Sequence, residues 1–246
     1  MASLPHVSSA QRGVSPLALS RQLLLVVAPD WGSSSAQLQR FARTHADGDW
    51  RQVGAPLAVG LGKSGLGWGL GLHEAVVGTG PVKREGDGRA PAGIFAITAL
   101  FGDAAPDAPL ARGAKLPYRW ASHDLKCIDD PASEHYNRIV DQSRLEQRDW
   151  TTCEDMRRDD QCYALGAVVA HNSESPVAGA GSCIFLHVWK REGVPTAGCT
   201  AMSLADMGEI FGWLDGATKP LLVQLPREAY EGWRQAWGLP TLAAPG

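Results

Sequence analysis

The chain has 246 residues, 44% of them apolar and 20% charged, with a formal net charge of −3 at pH 7. That length and composition support one large globular domain with a sizeable core. The weak negative charge leaves no electrostatic footprint for nucleic acid, and no stretch approaches the roughly eighteen consecutive apolar residues of a membrane span, so neither partner is expected.

Residues 1–20 contain many Ser and Pro and read as a flexible tail, followed by a single domain over 21–240. No leader is recognisable: the apolar run 23–28 follows Arg21-Gln22 and runs into Pro29-Asp30-Trp31, which suits a first strand better than a signal core. Ser34-x-x-Gln37 has the form of a capping box, and Leu38, Phe41, Ala42 and His45 share a helical face, which predicts a helix over 36–45 with His45 at the edge of the core. Residues 50–53 and 56–59 read as short strands.

Gly60-Leu61-Gly62-Lys63-Ser64-Gly65 has the outline of a phosphate-binding loop. A Walker-type loop would need glycine where Leu57 stands, and either nucleotide motif must open a helix, whereas glycines continue to Gly71. A tight loop around Trp68 is expected, with no nucleotide and no cofactor. Glu85-Gly86-Asp87-Gly88-Arg89 is turn chemistry leading into a strand over 94–98, with Lys83, Arg84 or Arg89 as the alternative contact to a substrate carboxylate, for which Arg geometry is well suited. Residues 102–117 read as a long loop, Asp129-Asp130 before Pro131 as a turn, and 149–160 as a short polar helix capping the site. Residues 163–171 form a buried strand whose polar end, His171-Asn172, makes His171 a substrate-contact candidate. Ser203 caps a helix with Leu204, Met207, Phe211 and Leu214 at core spacing; a strand over 221–225 and a helix over 227–237 follow.

The chemistry concentrates in residues 182–200. An apolar run, Ser182 to Trp189, carries His187 near its end, and a charged turn at 190–193 leads to Pro195-Thr196-Ala197-Gly198-Cys199-Thr200. Alternation puts Phe185 and His187 on one side of a strand, and a hairpin would return Cys199 beside them. A thiol within reach of an imidazole is the pairing that nucleophilic catalysis needs, because the thiolate reacts and the imidazole takes and returns its proton. Gly198 permits a backbone in which the Gly198 and Cys199 amides face an oxyanion. No Asp or Asn near the motif orients His187, so the Val188 carbonyl is assigned that task. Cys199 lies four residues before the Ser203 cap, too far for the helix dipole to contribute much to the thiolate.

The chain has five cysteines; with Cys199 kept free, the other four allow two disulfides, expected as Cys153 with Cys162 and Cys127 with Cys183, and an exported, oxidising location fits. Cys183, His187 and Cys199 are also three zinc-ligand types, but at spacings that match no common zinc ribbon or finger, so no metal is expected.

His187, a spacer of eleven residues and Thr196-Ala197-Gly198-Cys199 together resemble the signature of the L,D-transpeptidase catalytic domain (YkuD type) of bacterial cell-wall enzymes. Residues 83–95 resemble that family's turn and strand into the core, so the likeness covers roughly 55–226. Ala197 stands where the family has a second histidine, and the spacer is shorter than the family's. The resemblance implies a mostly β (α+β) fold, a mixed β-sandwich with peripheral helices. It also implies catalysis by Cys199 and His187 through a thioester, with peptidoglycan stem peptides as donor and acceptor. Thr196, His171 and Arg89 are the substrate-binding candidates. An L,D-carboxypeptidase or amidase using the same pair, a catalytically silent wall-binding module and a structural protein with a buried cysteine remain alternatives.

Overall fold

A strand that is apolar on both faces must be covered on both faces, and Gln22–Ala28 (β1) is buried along its whole length. The computed structural model describes residues 15–74 and 79–242. After β1 come β2 (Ser35–Ala42), β3 (Arg51–Gly60), β4 (Leu66–Trp68), β5 (Ala90–Gly102), α1 (Pro109–Arg112), β6 (Tyr118–Trp120), β7 (Leu125–Cys127), β8 (Ile139–Asp141) and β9 (Glu154–Asp155). The chain continues through β10 (Leu165–Val169), β11 (Phe185–Val188), β12 (Thr200–Met202), α2 (Leu204–Trp213), β13 (Leu221–Pro226) and α3 (Arg227–Trp237).

The main sheet runs β10-β11-β12-β3-β2-β1-β13-β5-β4, with β6 beside β5; because β10 also pairs with β5, the sheet closes on itself. The fold is sheet-dominated with few helices, as expected. Ladder geometry sets the neighbours: β1 pairs in parallel with β13 and antiparallel with β2. Helix α2 packs against β10 and β11, and α3 against β13 and β1. Ser203 caps α2 as expected, its Oγ accepting the Asp206 N–H.

A smaller sheet, β8-β7-β9, lies apart from the main one. Its residues Leu125 and Cys127 share a second apolar cluster with Phe101, Tyr163, Phe185 and Cys199 of the main body, so the small sheet forms a cap over that flank. Two links fasten it. Cys127 is disulfide-bonded to Cys183, just before β11, across a sequence separation of 56. Asn137 donates from Nδ2 to the His171 and Asn172 carbonyls, at 2.9 and 2.6 Å, and its Oδ1 accepts the Cys183 N–H at 2.9 Å.

Several expectations are corrected. Residues 36–45 are not helical: β2 pairs with both β1 and β3, and its two faces are both covered where Leu38 and Phe41 point, so spacing that suited a helix is satisfied by a two-sided strand. His45 is exposed in the following turn. The two short strands at 50–59 are one strand, bent at Gly54 and with a register shift opposite Leu38 and Arg40. Residues 149–160 supply β9 instead of a helix, because Asp130 takes the Thr151 amide and hydroxyl while Asp149 takes the Ser133 hydroxyl and Glu134 amide. The expected Cys153–Cys162 bridge is absent: Cys162 is buried in the second cluster while the half-exposed Cys153 leads into the cap sheet, and both are free. Of the expected tail, residues 1–14 lie outside the described residues; Leu17 is buried and Ser15 Oγ donates to the Trp237 carbonyl at 2.8 Å.

Candidate active site

Strands β11 and β12 position the two residues of interest. They run parallel, with Leu186 opposite Thr200 and His187 opposite Ala201, so the return is a crossover through residues 189–199 and not the expected hairpin. Cys199 falls level with Phe185, and strand alternation puts Phe185, His187, Cys199 and Ala201 on one face. The crossover is stitched to the glycine-rich segment: Thr196 N–H donates to the Leu61 carbonyl and Lys63 N–H to the Thr196 carbonyl, both at 2.9 Å. Those glycines serve close packing instead of a phosphate. A Cβ on Gly62 would sit 2.3 Å from the Gly88 carbonyl oxygen, and one on Gly65 would sit 2.1 Å from that of Trp31.

Cys199 is buried at the edge of the cap. Its Sγ accepts the Phe185 N–H at 3.3 Å and donates to the Cys183 carbonyl at 3.4 Å. Burial, followed by the charge of Glu154, pushes the thiol up to about 12, against the Phe185 N–H and the Lys83 and Arg158 cations. His187 Nδ1 is 2.8 Å from the Val188 carbonyl, which holds the Nδ1–H tautomer and leaves Nε2 as the basic atom. Burial lowers its pKa to about 4, partly offset by the Val188 bond. The resting site therefore holds an uncharged thiol and an uncharged imidazole.

The other candidates have different surroundings. His171 is buried with both ring nitrogens occupied: Nδ1 accepts the Leu70 N–H at 3.2 Å and Nε2 lies 3.0 Å from the Ala180 carbonyl. It joins the Leu66–Gly71 segment to the turn before β11 and has no nitrogen to offer a substrate. Arg89 Nη1 donates to the carbonyls of Ser64 at 2.5 Å and Leu66 at 3.0 Å, so that nitrogen is held by the glycine-rich segment. Thr196 Oγ1 donates to the Cys199 carbonyl at 2.6 Å and accepts the Gly198 N–H at 3.1 Å; it shapes the turn, and the Gly198 amide is engaged. Ala197 is exposed on that turn. The zinc alternative falls, since the Cys183 sulfur is bonded to Cys127. Among the described residues no His, Cys, Asp and Glu cluster is arranged to hold a metal.

Sequence reasoning picked out Lys83 among the charges of segment 83–89 but missed Glu85, Glu154 and the bonds these groups make. Lys83 is buried, with Nζ on Asp87 Oδ1 and the Arg84 carbonyl, both at 2.6 Å. Glu85 Oε2 accepts from Tyr136 at 2.5 Å and Ser182 at 2.7 Å. Glu154 Oε2 accepts from Tyr163 at 2.5 Å. The Lys83 partners lie within the segment 83–87 and Tyr163 nine residues from Glu154, but Tyr136 and Ser182 lie 51 and 97 residues from Glu85, so only the segment 83–89 carried a local signal.

The two buried histidines predict a pH dependence of stability. Both His171 and His187 are held near 4, below the usual 6.5, so between those values the unfolded chain binds protons that the folded one refuses. Their contribution is fully present above about pH 6.5 and is lost as pH falls towards 4, on the order of 3 kcal/mol for each. The urea midpoint should fall from pH 7 to pH 5, with a shallower fall in His171→Asn. Equal midpoints at the two pH values in the wild type would refute this.

Cys199 and His187 thus share one face of adjacent strands on the capped flank of a closed mixed sheet. The model of the L,D-transpeptidase catalytic domain (YkuD) matches residues 67–224. The chain belongs to this family of cell-wall enzymes. Among solved structures it is similar to the helical cell-shape-determining protein Pgp2 of Campylobacter jejuni, with 13% identity and a TM-score of 0.37 over 87% of this chain and 52% of that one. The chain thus spans about half the length of that protein. No curated protein sequence matches it. Among the described residues no helix is long and apolar enough to cross a membrane.

Proposed function

We propose that the chain is a cysteine-dependent acyl transferase that cross-links peptidoglycan stem peptides through a thioester on Cys199. The observation that carries this is the pairing itself: Cys199 and His187 on one face of adjacent strands, with Nδ1 tied to Val188 and Nε2 left basic. Because both groups rest uncharged, His187 Nε2 takes the thiol proton as sulfur attacks a stem-peptide carbonyl, in place of a standing thiolate. The Cys199 amide holds the oxyanion, joined by the Gly198 amide once Thr196 releases it. Collapse expels the D-alanine amine, which takes the proton from His187 and leaves the thioester. An amine of a second stem then attacks that thioester, its proton returning through His187 to the sulfur. The reaction belongs outside the cytoplasm, in the periplasm or an equivalent exported compartment, and the Cys127–Cys183 disulfide suits it.

Incubation with a tetrapeptide stem should release D-alanine and produce a cross-linked dimer, read by mass spectrometry. Shortened monomers without dimer would make the enzyme a carboxypeptidase. No release at all from folded protein would leave a wall-binding module and overturn the proposal.

A further inference from the structure

Tyr163 has no part in that proton transfer, yet its ring packs edge-on against His187 with centroids 5.2 Å apart, and against Phe185 and Phe101 at 5.5 Å each. A buried phenol needs an acceptor, and Tyr163 finds it in Glu154 at 2.5 Å. Glu154 opens β9, so a residue of the cap sheet reaches across to hold the ring that walls the imidazole. The Arg158 guanidinium lies 5.0 Å from the same ring and is itself fixed by Asp160 through two bonds, at 2.9 and 2.6 Å. Tyr163 is thus held by an acceptor at its hydroxyl and by three rings and a cation packed against its own ring.

The imidazole needs such a wall. The bond from Nδ1 to the Val188 carbonyl sets the tautomer only while the ring stays in line with that carbonyl; a ring that swings loses the bond, and a shift of about 1 Å at Nε2 is enough to slow proton transfer severely. Resting on His187 as the base in the proposed function, we propose that Tyr163 and Glu154 are positioning residues: Glu154 anchors the phenol to the cap, and the Tyr163 ring holds His187 where Nε2 meets the Cys199 thiol. The cap then does more than cover the site, because its seating is read directly by the catalytic base.

The test compares acylation of Cys199 by a carbapenem-type β-lactam in three variants. Tyr163→Phe keeps the ring but loses the anchor, and should lower the saturating acylation rate about tenfold, the scale of one buried hydrogen bond, with half-saturation unchanged. Glu154→Gln still offers an oxygen to the phenol and removes the charge that raises the Cys199 thiol, so it should acylate at least as fast as wild type, while Glu154→Leu, which removes the same charge and the anchor, should be about tenfold slower than Glu154→Gln. In Cys199→Ala protein the ¹⁵N shifts of His187 should report the Nδ1–H tautomer, and adding Tyr163→Phe should move them towards a mixture. A wild-type rate in Tyr163→Phe, a loss confined to half-saturation, Glu154→Gln as slow as Glu154→Leu, or unmoved ¹⁵N shifts would each overturn the positioning role. A wild-type protein that is never acylated would refute the proposed function instead, and the ¹⁵N comparison would still decide this one.

Discussion

Cys199→Ala should show no covalent mass adduct with a carbapenem-type β-lactam, and its turnover of stem peptides should fall by about three orders of magnitude or more. The side chain removed is small, and its loss leaves the Phe185 N–H without the sulfur it donates to at 3.3 Å. One orphaned amide costs about 1–3 kcal/mol, so the fold should survive with a lower unfolding midpoint and unchanged circular dichroism. His187→Ala should bind substrate normally while acylating about 10²–10⁴ times more slowly, because it removes the base and leaves the nucleophile. An adduct on Cys199→Ala, or acylation by His187→Ala at the wild-type rate, would end the assignment of the pair.

Loss of the Cys127–Cys183 disulfide should have the second-largest effect, on stability and rate together. The bond closes a loop of separation 56, for which the chain-entropy relation gives about 4 kcal/mol. It also fastens the cap to the residue whose carbonyl receives the Cys199 thiol at 3.4 Å, and Cys183 holds a left-handed backbone at φ 54°. The double variant Cys127→Ser/Cys183→Ser should therefore unfold at a denaturant midpoint lower by about 4 kcal/mol of stability and acylate more than about tenfold more slowly. Peptide mapping without reductant should find this single bridge and free thiols at Cys153, Cys162 and Cys199. A double variant matching wild type in both midpoint and rate would show that the bridge staples nothing.

Legibility varied with range. The shared face of Cys199 and His187 and the Val188 carbonyl beside Nδ1 were readable because they lie within one short stretch, where strand alternation and the lack of a nearby acid constrained them. The Ser203 cap and the helices after it were readable for the same reason, since capping and periodic burial are local. Residues 36–45 misled because Leu38, Phe41 and Ala42 satisfy two periods at once, and only the ladders offered by β1 and β3 chose between them. His171 and Arg89 looked like substrate contacts because exposed polar ends of strands and turns are often functional; here His171 bonds the Leu70 amide and the Ala180 carbonyl, and Arg89 Nη1 the Ser64 and Leu66 carbonyls.

By itself the sequence determined the family signature and the thiol and imidazole, which rest on residue identity and near spacing; the mostly β fold came through the family resemblance, and of the two disulfides expected only Cys127–Cys183, across 56 residues, is formed. Only the tertiary structure decided that β11 and β12 run parallel, that the sheet closes through β5 and β10, and that a cap lies against the pair. It alone set the charge state, since burial is a property of the assembled core: the same cysteine and histidine in an open turn would titrate near their ordinary values. And it alone brought Glu154 and Tyr163 to His187, because a hydrogen bond between a cap strand and the main body depends on where two sheets meet, which no local pattern encodes.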